Sequence, residues 1–233
     1  MKKITGRTIF CLLTVVLFGL SGAGLQAEAA EDKGKELMGA AVMGDFDRVK
    51  SLIESGMDVN YREAKSKATP LIGASWRGNV RIVKYLVSEG ADVNAENAYG
   101  DTPLILAAGS KQFKTLVPYL LSRGADPAAK RKDNMNAVWK LVSKAGRYDI
   151  QDLVAAVNLL AEKGAAVNLP INSDFTPLMF ASREGSLEMV KCLVENGANV
   201  KAETAEGRTP LNLARKEGHE QVASYLRSRG AAE

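Results

Sequence analysis

The sequence is poor in the side chains that catalytic and metal sites most often use. Its 233 residues include one histidine, His219, and two cysteines, Cys11 and Cys192. A single histidine excludes a two-histidine metal site and any mechanism that uses a histidine pair. Phosphate loops of the GxxxxGKS or GxGxxG kind are also missing from any strand-to-helix setting. We therefore predict that the protein is not an enzyme and has no cofactor and no metal site.

The sequence also lacks a strong excess of charge of one sign. It has 31 basic and 27 acidic residues, a formal net charge of +4. This near balance argues against a general attraction to nucleic acid or to anionic lipid. The basic run Lys130–Lys132 is short and has no interleaved aromatic residues, so we interpret it as a solvated loop. Nucleic acid is not an expected partner.

The first 29 residues have the three parts of a secretory signal. Lys2, Lys3 and Arg7 give a positive start, Ile9–Leu20 is apolar, and Ala27–Ala29 supplies small residues for cleavage. An uncleaved membrane anchor is the alternative, but the apolar run is shorter than the roughly 20 residues that a spanning helix needs. Removal of residues 1–29 would leave a net charge of +2. We expect no membrane contact beyond this export signal.

The cysteines fit export without proving it. Cys11 lies inside the apolar run and is not preceded by small residues, which argues against a lipoprotein. Once Cys11 is removed with the signal, Cys192 stands alone and no intramolecular disulfide can form. We expect Cys192 to be a small buried packing residue, with a reactive thiol as the alternative.

The mature part of the chain is a repeat. Each repeat carries an apolar stretch at helical spacing, such as "RIVKYLVSEG", that ends at a glycine suited to a left-handed helix cap. Successive glycines are separated by 34, 34, 40, 33 and 33 residues, and they are Gly56, Gly90, Gly124, Gly164, Gly197 and Gly230. A period of this length indicates a repeat architecture in which every unit needs its neighbours.

A second motif marks the start of another helix in each unit. Four units contain "TPL", at Thr69–Leu71, Thr102–Leu104, Thr176–Leu178 and Thr209–Leu211. The threonine hydroxyl can cap the free amides of a helix, and proline suits the first turn, where its missing N–H is not needed. Each unit is therefore predicted to be a helix, a short turn, a second helix and an extended loop.

These motifs, with "GADVN" at Gly90–Asn94 and its variants, resemble the ankyrin repeat family over residues 35–233. The resemblance implies an all-α solenoid of about six helix-turn-helix units, with projecting hairpin loops and a concave face that binds other proteins. Residues 30–34 would form a short N-terminal tail. We expect the units at about residues 35–68, 69–101, 102–135, 136–175, 176–208 and 209–233.

The chain departs from the family pattern at several places. The family's "TPLH" histidine, which ties repeats together, is replaced by Ile72, Ile105, Met179 and Asn212, so apolar contact should take over part of that role. Lys35–Leu37 stands in place of the first "TPL", and Arg215 takes the place of a small packing residue in the last unit. Both features indicate polar end caps, which a linear stack needs.

The middle of the chain carries three further irregularities. Asn136–Trp139 starts the fourth unit, where Trp139 should lie in the core, and six extra residues before Gly164 predict a lengthened helical turn around residues 144–153. Pro118 should kink the second helix of unit three or move its start later. His219 occupies a position where family members often carry histidine, which favours a structural role.

In this family, recognition residues lie on the hairpin tips and at the ends of the first helices. Spacing from "TPL" gives the tip residues Tyr99, Asp101, Lys132, Asp133, Met135, Phe175, Glu206 and Arg208, and the helix residues Trp76, Arg77, Lys144, Arg183, Glu184 and Lys216. Exposed aromatic and sulfur side chains are typical interface anchors. The alternative for each is that it packs against the adjacent loop.

Together these features predict an exported protein–protein interaction scaffold, a monomer located in the periplasm, whose partner is another protein. The resemblance to exported bacterial ankyrin proteins suggests a periplasmic enzyme as that partner, such as a peroxide-handling one. One alternative is a secreted effector that engages host proteins. An enzyme with an unrecognised site is a weaker alternative, because no motif supports it.

Overall fold

A computed structural model describes residues 31–171 and 174–231 as a series of helices. The predicted signal peptide, residues 1–29, lies outside the described residues. The helices form six successive pairs: α1 (31–43) and α2 (Phe46–Glu54), α3 (Pro70–Arg77) and α4 (Val80–Ser88), α5 (Pro103–Gly109) and α6 (Phe113–Ser122), α7 (Ala137–Val142) and α8 (Ile150–Glu162), α9 (Pro177–Arg183) and α10 (Leu187–Glu195), α11 (Pro210–Lys216) and α12 (Glu220–Ser228).

The first helix of most pairs starts as the motif predicts. Thr69 Oγ1 accepts a hydrogen bond from the Ile72 amide at 3.3 Å, and Pro70 is the first helical residue. The other three "TPL" threonines cap α5, α9 and α11 in the same way. In the fourth pair an asparagine replaces threonine, and Asn136 Oδ1 accepts from the Trp139 amide at 3.0 Å. The helix starts are therefore encoded locally.

The second helices end at the glycines of the repeat. All six of these glycines have φ between 85° and 101°, the left-handed region in which a Cβ atom is unfavourable. In the second pair the Ala91 amide donates to the Leu86 carbonyl at 2.9 Å, which closes the last turn of α4. The all-α solenoid of about six units is thus confirmed. Within the described ranges no β-strand is present, and two isolated bridges, Lys130 with Asn136 and Ile171 with Phe175, lie in the loops.

The core runs without a break along the stack. The first helices pack in the order α3, α5, α7, α9 and α11, and most of the second helices pack on their own neighbours in the same way. One cluster of buried apolar residues extends from Leu37 in α1 to Leu226 in α12. Each helix pair hides its apolar side against the next pair, as expected of a linear stack.

Three asparagines bridge consecutive units along the loop side. Asn60 Nδ2 donates to the Gly90 carbonyl at 3.2 Å, and Asn60 Oδ1 accepts from the Asp92 amide at 2.8 Å. Asn94 and Asn168 make the equivalent pair of bonds to the following unit. Ala128 and Lys201 occupy the corresponding positions at the other two junctions, and neither has a side-chain amide that could make both bonds.

The positions of the missing family histidine are filled as predicted in the central units. Ile72, Ile105 and Met179 are buried, and so is Trp139, whose Nε1–H donates to the Leu169 carbonyl at 2.7 Å. Asn212 in the last unit is exposed, and its side chain forms a capping box with Thr209. Apolar packing and one indole hydrogen bond therefore take the place of histidine contacts.

Most of the segment assigned to an N-terminal tail is helical. Residues 31–34, assigned to a tail, continue α1 in the structure. Lys35 Nζ lies 3.0 Å from Glu31 Oε1, a pairing one helical turn apart that supports the extra turn. The sequence carries no "TPL" motif in this segment, so no motif indicated that these residues are helical.

The extra residues of the fourth unit lengthen both a turn and a helix. Seven residues separate α7 from α8, whereas two separate α3 from α4, and α8 has 13 residues where α4 has nine. The lengthened turn is confirmed, and the longer helix was not predicted. Tyr148 in this turn packs edge-on against Phe113 with 5.7 Å between ring centroids, and Lys114 Nζ pairs with Asp152 Oδ2 at 2.8 Å.

Pro118 does not delay the helix that contains it. Helix α6 begins at Phe113, and Pro118 is its sixth residue. The expectation of a later start is wrong, because buried Phe113, Leu116 and Leu120 hold both halves of the helix on the core despite the missing N–H. A kink at Pro118 stays a prediction.

Candidate functional site

Two large aromatic side chains are exposed on neighbouring repeats. Trp76 near the end of α3 is 56% exposed, although the preceding residues of that helix are buried. Tyr99, on the hairpin loop between α4 and α5, is 62% exposed. The guanidinium of Arg77 lies 5.3 Å from the Trp76 ring centre, and that of Arg131 lies 6.0 Å from the Tyr99 ring centre. Both rings are therefore accessible and flanked by cations.

Trp76 and Tyr99 line one groove with aliphatic side chains from α1, α3 and α5. We call it the apolar groove; its volume is about 330 Å³, and its main apolar walls are Met38, Val42, Ile72, Trp76, Tyr99 and Leu106. Met38, Val42 and Leu106 were not predicted as site residues. The sequence gives their place within a repeat, but only the stacking of three units brings them together.

The groove continues into a basic region on α7 and the turn after it. This basic pocket, of about 250 Å³, is lined by Trp76, Leu106, Lys140 and Lys144, among others. Burial, together with the positive charges of Arg147 and Lys140, lowers the pKa of Lys144. None of the ion pairs in residues 31–171 and 174–231 involves Lys140 or Lys144. The basic pocket thus has no carboxylate partner of its own there.

Asp101 does not occupy the exposed position that its spacing suggested. It is 5% exposed, its Oδ1 lies 3.4 Å from Arg131 Nη1, and its Oδ2 accepts from Asn97 Nδ2 at 3.3 Å. These contacts fix the hairpin loop and pair it with the next loop. The exposed tip position is therefore incorrect, because the carboxylate is buried and already engaged, and a contact between Asp101 and a partner stays a prediction.

The next loop supplies Lys132, Asp133 and Met135. Lys132 is exposed, and its Nζ donates to the Ala98 carbonyl at 2.8 Å. Asp133 pairs with Arg131 at 3.2 Å, and Met135 is half-buried. Lys130 and Lys132 are thus exposed on a hairpin loop, in agreement with the interpretation of this basic run as a solvated loop.

The remaining predicted residues form a second, more polar site at the other end of the stack. Arg183 pairs with Glu184 at 2.9 Å, Arg208 pairs with Glu206 at 3.4 Å, and half-buried Phe175 lies 5.6 Å from the Arg183 guanidinium. A depression of about 570 Å³ is lined by Phe175, Arg183, Glu206, Arg208 and Lys216, among others. The sequence-derived residues therefore fall into two groups rather than one surface.

The side chains that could carry other chemistry are engaged in packing. His219 Nε2 lies 2.9 Å from the Arg183 carbonyl oxygen, which ties the last unit to the fifth. Cys192 is buried, and its Sγ lies 3.2 Å from Asn158 Oδ1. Among the described residues, no three His, Cys, Asp or Glu side chains are grouped to hold a metal ion. No helix in that same part of the chain is long and apolar enough to span a membrane.

Burial makes a clear prediction for the Cys192 thiol. Desolvation raises its pKa to about 11, so at pH 8 only about one molecule in a thousand carries the reactive thiolate. We expect negligible reaction of folded residues 30–233 with Ellman's reagent at pH 8, and one equivalent in denaturant. Rapid reaction of the folded chain would contradict the burial of Cys192.

Comparisons with known proteins agree with this geometry. The family model for ankyrin repeats (3 copies) matches residues 37–131 and 128–232. The chain therefore belongs to the ankyrin repeat family. Among solved structures it is similar to an ankyrin repeat domain from Acinetobacter baumannii AYE, with 25% sequence identity, a TM-score of 0.72, and coverage of 84% of this chain and 98% of that one. A comparison with curated proteins gave no match. Ankyrin repeats indicate a protein–protein interaction scaffold, a fold that is typically non-enzymatic.

Proposed function

We propose that this protein is an exported scaffold that holds another protein in its apolar groove. The observation that carries the proposal is the exposure of Trp76 and Tyr99 on one groove with aliphatic walls. Large exposed apolar side chains that are grouped in this way are typical of interaction sites, and aromatic anchors supply much of the binding free energy. The loops and the polar depression around Phe175 would extend the contact.

The direct test is capture of the partner by a variant that lacks the aromatic anchors. Residues 30–233 carrying Trp76→Ala, Tyr99→Ala and Phe175→Ala should lose at least about tenfold of the capture seen with the unmodified chain, because single anchors often contribute about 2 kcal/mol. The measurement is quantitative mass spectrometry of proteins retained from the native envelope fraction. Far-UV circular dichroism should stay unchanged, since Trp76 and Tyr99 are exposed and half-buried Phe175 lies in a loop outside the helices.

Met43 offers a matched control. It is 79% exposed and apolar, yet it does not line the apolar groove. Met43→Ala should capture the same proteins as the unmodified chain. Equal capture by the triple variant and the Met43 variant would end the assignment of the groove.

Export to the periplasm is proposed from the leader described above. Fractionation of the native cell should place the mature chain in the periplasm, whereas accumulation in the medium would favour the alternative of a secreted effector that engages host proteins. If the partner is a peroxide-handling periplasmic enzyme, a deletion strain should be more sensitive to hydrogen peroxide. Normal survival would argue against that partner and leave the scaffold function untouched.

A further inference from the structure

We propose that the groove takes a protein segment in which an apolar side chain and a carboxylate lie close together in the sequence. The apolar side chain would enter between Trp76 and Tyr99, and the carboxylate would pair with Lys140 and Lys144. This inference rests on the proposed function and adds the chemistry of the partner, which neither the fold nor the family specifies.

The apolar half of this specificity follows from the groove walls. Side chains of Val42, Ile72 and Leu106 present no hydrogen-bond donor or acceptor, that of Met38 presents only a weakly accepting sulfur, and the exposed rings of Trp76 and Tyr99 complete the lining. An aliphatic or aromatic side chain is the group that gains most from leaving water there. The groove volume of about 330 Å³ suits one or two such side chains rather than a folded domain.

The preference for a carboxylate follows from the positive charges of the basic pocket next to that groove. Lys140 and Lys144 are one helical turn apart in sequence, are half-buried, and share a pocket with Trp76 and Leu106. The charges acting most strongly on Lys144 are Arg147 and Lys140, both positive, and the one carboxylate that lines the neighbouring groove, Asp101, is engaged by Arg131 and Asn97. A carboxylate from a partner would relieve this repulsion in a partly desolvated place, where an ion pair is strongest.

Two features favour a peptide segment over single-stranded nucleic acid, which can also bind aromatic and basic residues. No lysine or arginine lines the groove between Trp76 and Tyr99, and Arg131 beside the Tyr99 ring is paired with Asp101 and Asp133, so the groove offers no row of cations that could follow a phosphate backbone. The basic pocket adjoins one end of the groove only. A single carboxylate beside an apolar anchor matches this arrangement better than a row of phosphates.

Selection from a random dodecapeptide library displayed on phage tests the inference. On residues 30–233, enriched peptides should carry Leu, Met, Phe or Trp within about two positions of Asp or Glu. For a synthetic copy of the strongest peptide, changing that acid to its amide should weaken binding at least about tenfold, roughly 1.4 kcal/mol. The double variant Lys140→Glu, Lys144→Glu should enrich basic peptides instead, whereas Lys191→Glu, an exposed lysine on α10, should select the same peptides as the unmodified chain.

The contrary outcomes separate this inference from the proposed function. Apolar peptides without acid enrichment that still require Trp76 would overturn the inference and leave the groove as the binding site. Peptides indifferent to Trp76→Ala and Tyr99→Ala would argue against both. No enrichment would overturn the idea of a linear segment, and partner capture would then decide the scaffold function independently. A 12-nucleotide thymidine oligomer serves as the nucleic-acid probe. If it bound more tightly than the selected peptide, and the variant Lys140→Glu, Lys144→Glu lost this binding, the occupant of the groove would be nucleic acid and not an acidic segment.

Discussion

Replacing Trp139 by alanine should lower the free energy of unfolding by about 3–5 kcal/mol. The indole is 2% exposed, packs edge-on against Phe180 with ring centroids 6.1 Å apart, and donates its Nε1–H to the Leu169 carbonyl at 2.7 Å. Alanine would leave a cavity between the fourth and fifth units and an unpaired carbonyl. The measurement is urea unfolding followed by circular dichroism at 222 nm.

Two variants separate the contributions. Trp139→Phe keeps a ring in the core and removes the donor to Leu169, so it should cost about 1–2 kcal/mol. Trp76→Ala removes the same side chain from an exposed position and should cost less than about 1 kcal/mol, since surface substitutions have small effects. If Trp76→Ala and Trp139→Ala destabilised the chain equally, the assignment of one tryptophan to the core and the other to the binding groove would be incorrect.

Gly185→Ala should destabilise the chain by about 2–3 kcal/mol for two reasons that act together. Gly185 has φ of 71°, where any side chain is unfavourable, and a Cβ atom there would overlap the His219 ring, lying 2.7 Å from its Cγ. To make room, His219 would give up its hydrogen bond to the Arg183 carbonyl. Urea midpoints of the variant and the unmodified chain give the change in free energy.

Gly197→Ala is the matched control for backbone strain. Gly197 has φ of 85°, and a Cβ atom there would meet no other atom within 4 Å. The substitution should therefore cost only the backbone strain of a positive φ, about 1–2 kcal/mol. In a chain that already carries His219→Ala, the cost of Gly185→Ala should fall to that same value. An undiminished cost in that background would show that the His219 contact does not contribute.

The parts of the fold that the sequence predicted are those decided by local chemistry. Thr102 before Pro103 caps a helix through bonds to residues within one turn, and Gly90 permits a left-handed cap by itself, so neither depends on distant residues. Burial of Trp139 also follows from its place in the repeat. The helical state of residues 31–34 escaped prediction because no "TPL" motif marks this first helix.

The candidate site was only partly predictable, because it is assembled across three units. Trp76 and Tyr99 could be selected from their repeat positions, but the groove that they line with Met38, Val42 and Leu106 depends on how neighbouring units stack. For Asp101 the position in the repeat predicted an exposed tip, but the side chain is buried and bonded to Arg131 and Asn97. Repeat position predicts which face a residue is on, and tertiary packing decides whether a partner can reach it.

The interrupted series of asparagine bridges has a consequence for how the protein would respond to binding. The junction at Ala128, between the third and fourth units, lacks the paired amide bonds of the junctions at Asn60 and Asn94. A segment bound from Trp76 on α3 to Lys144 after α7 would cross that junction. Its binding free energy would then add to the cohesion of the stack at this point, so occupancy should slow amide hydrogen exchange in α7 and α8, beyond the residues that the segment touches.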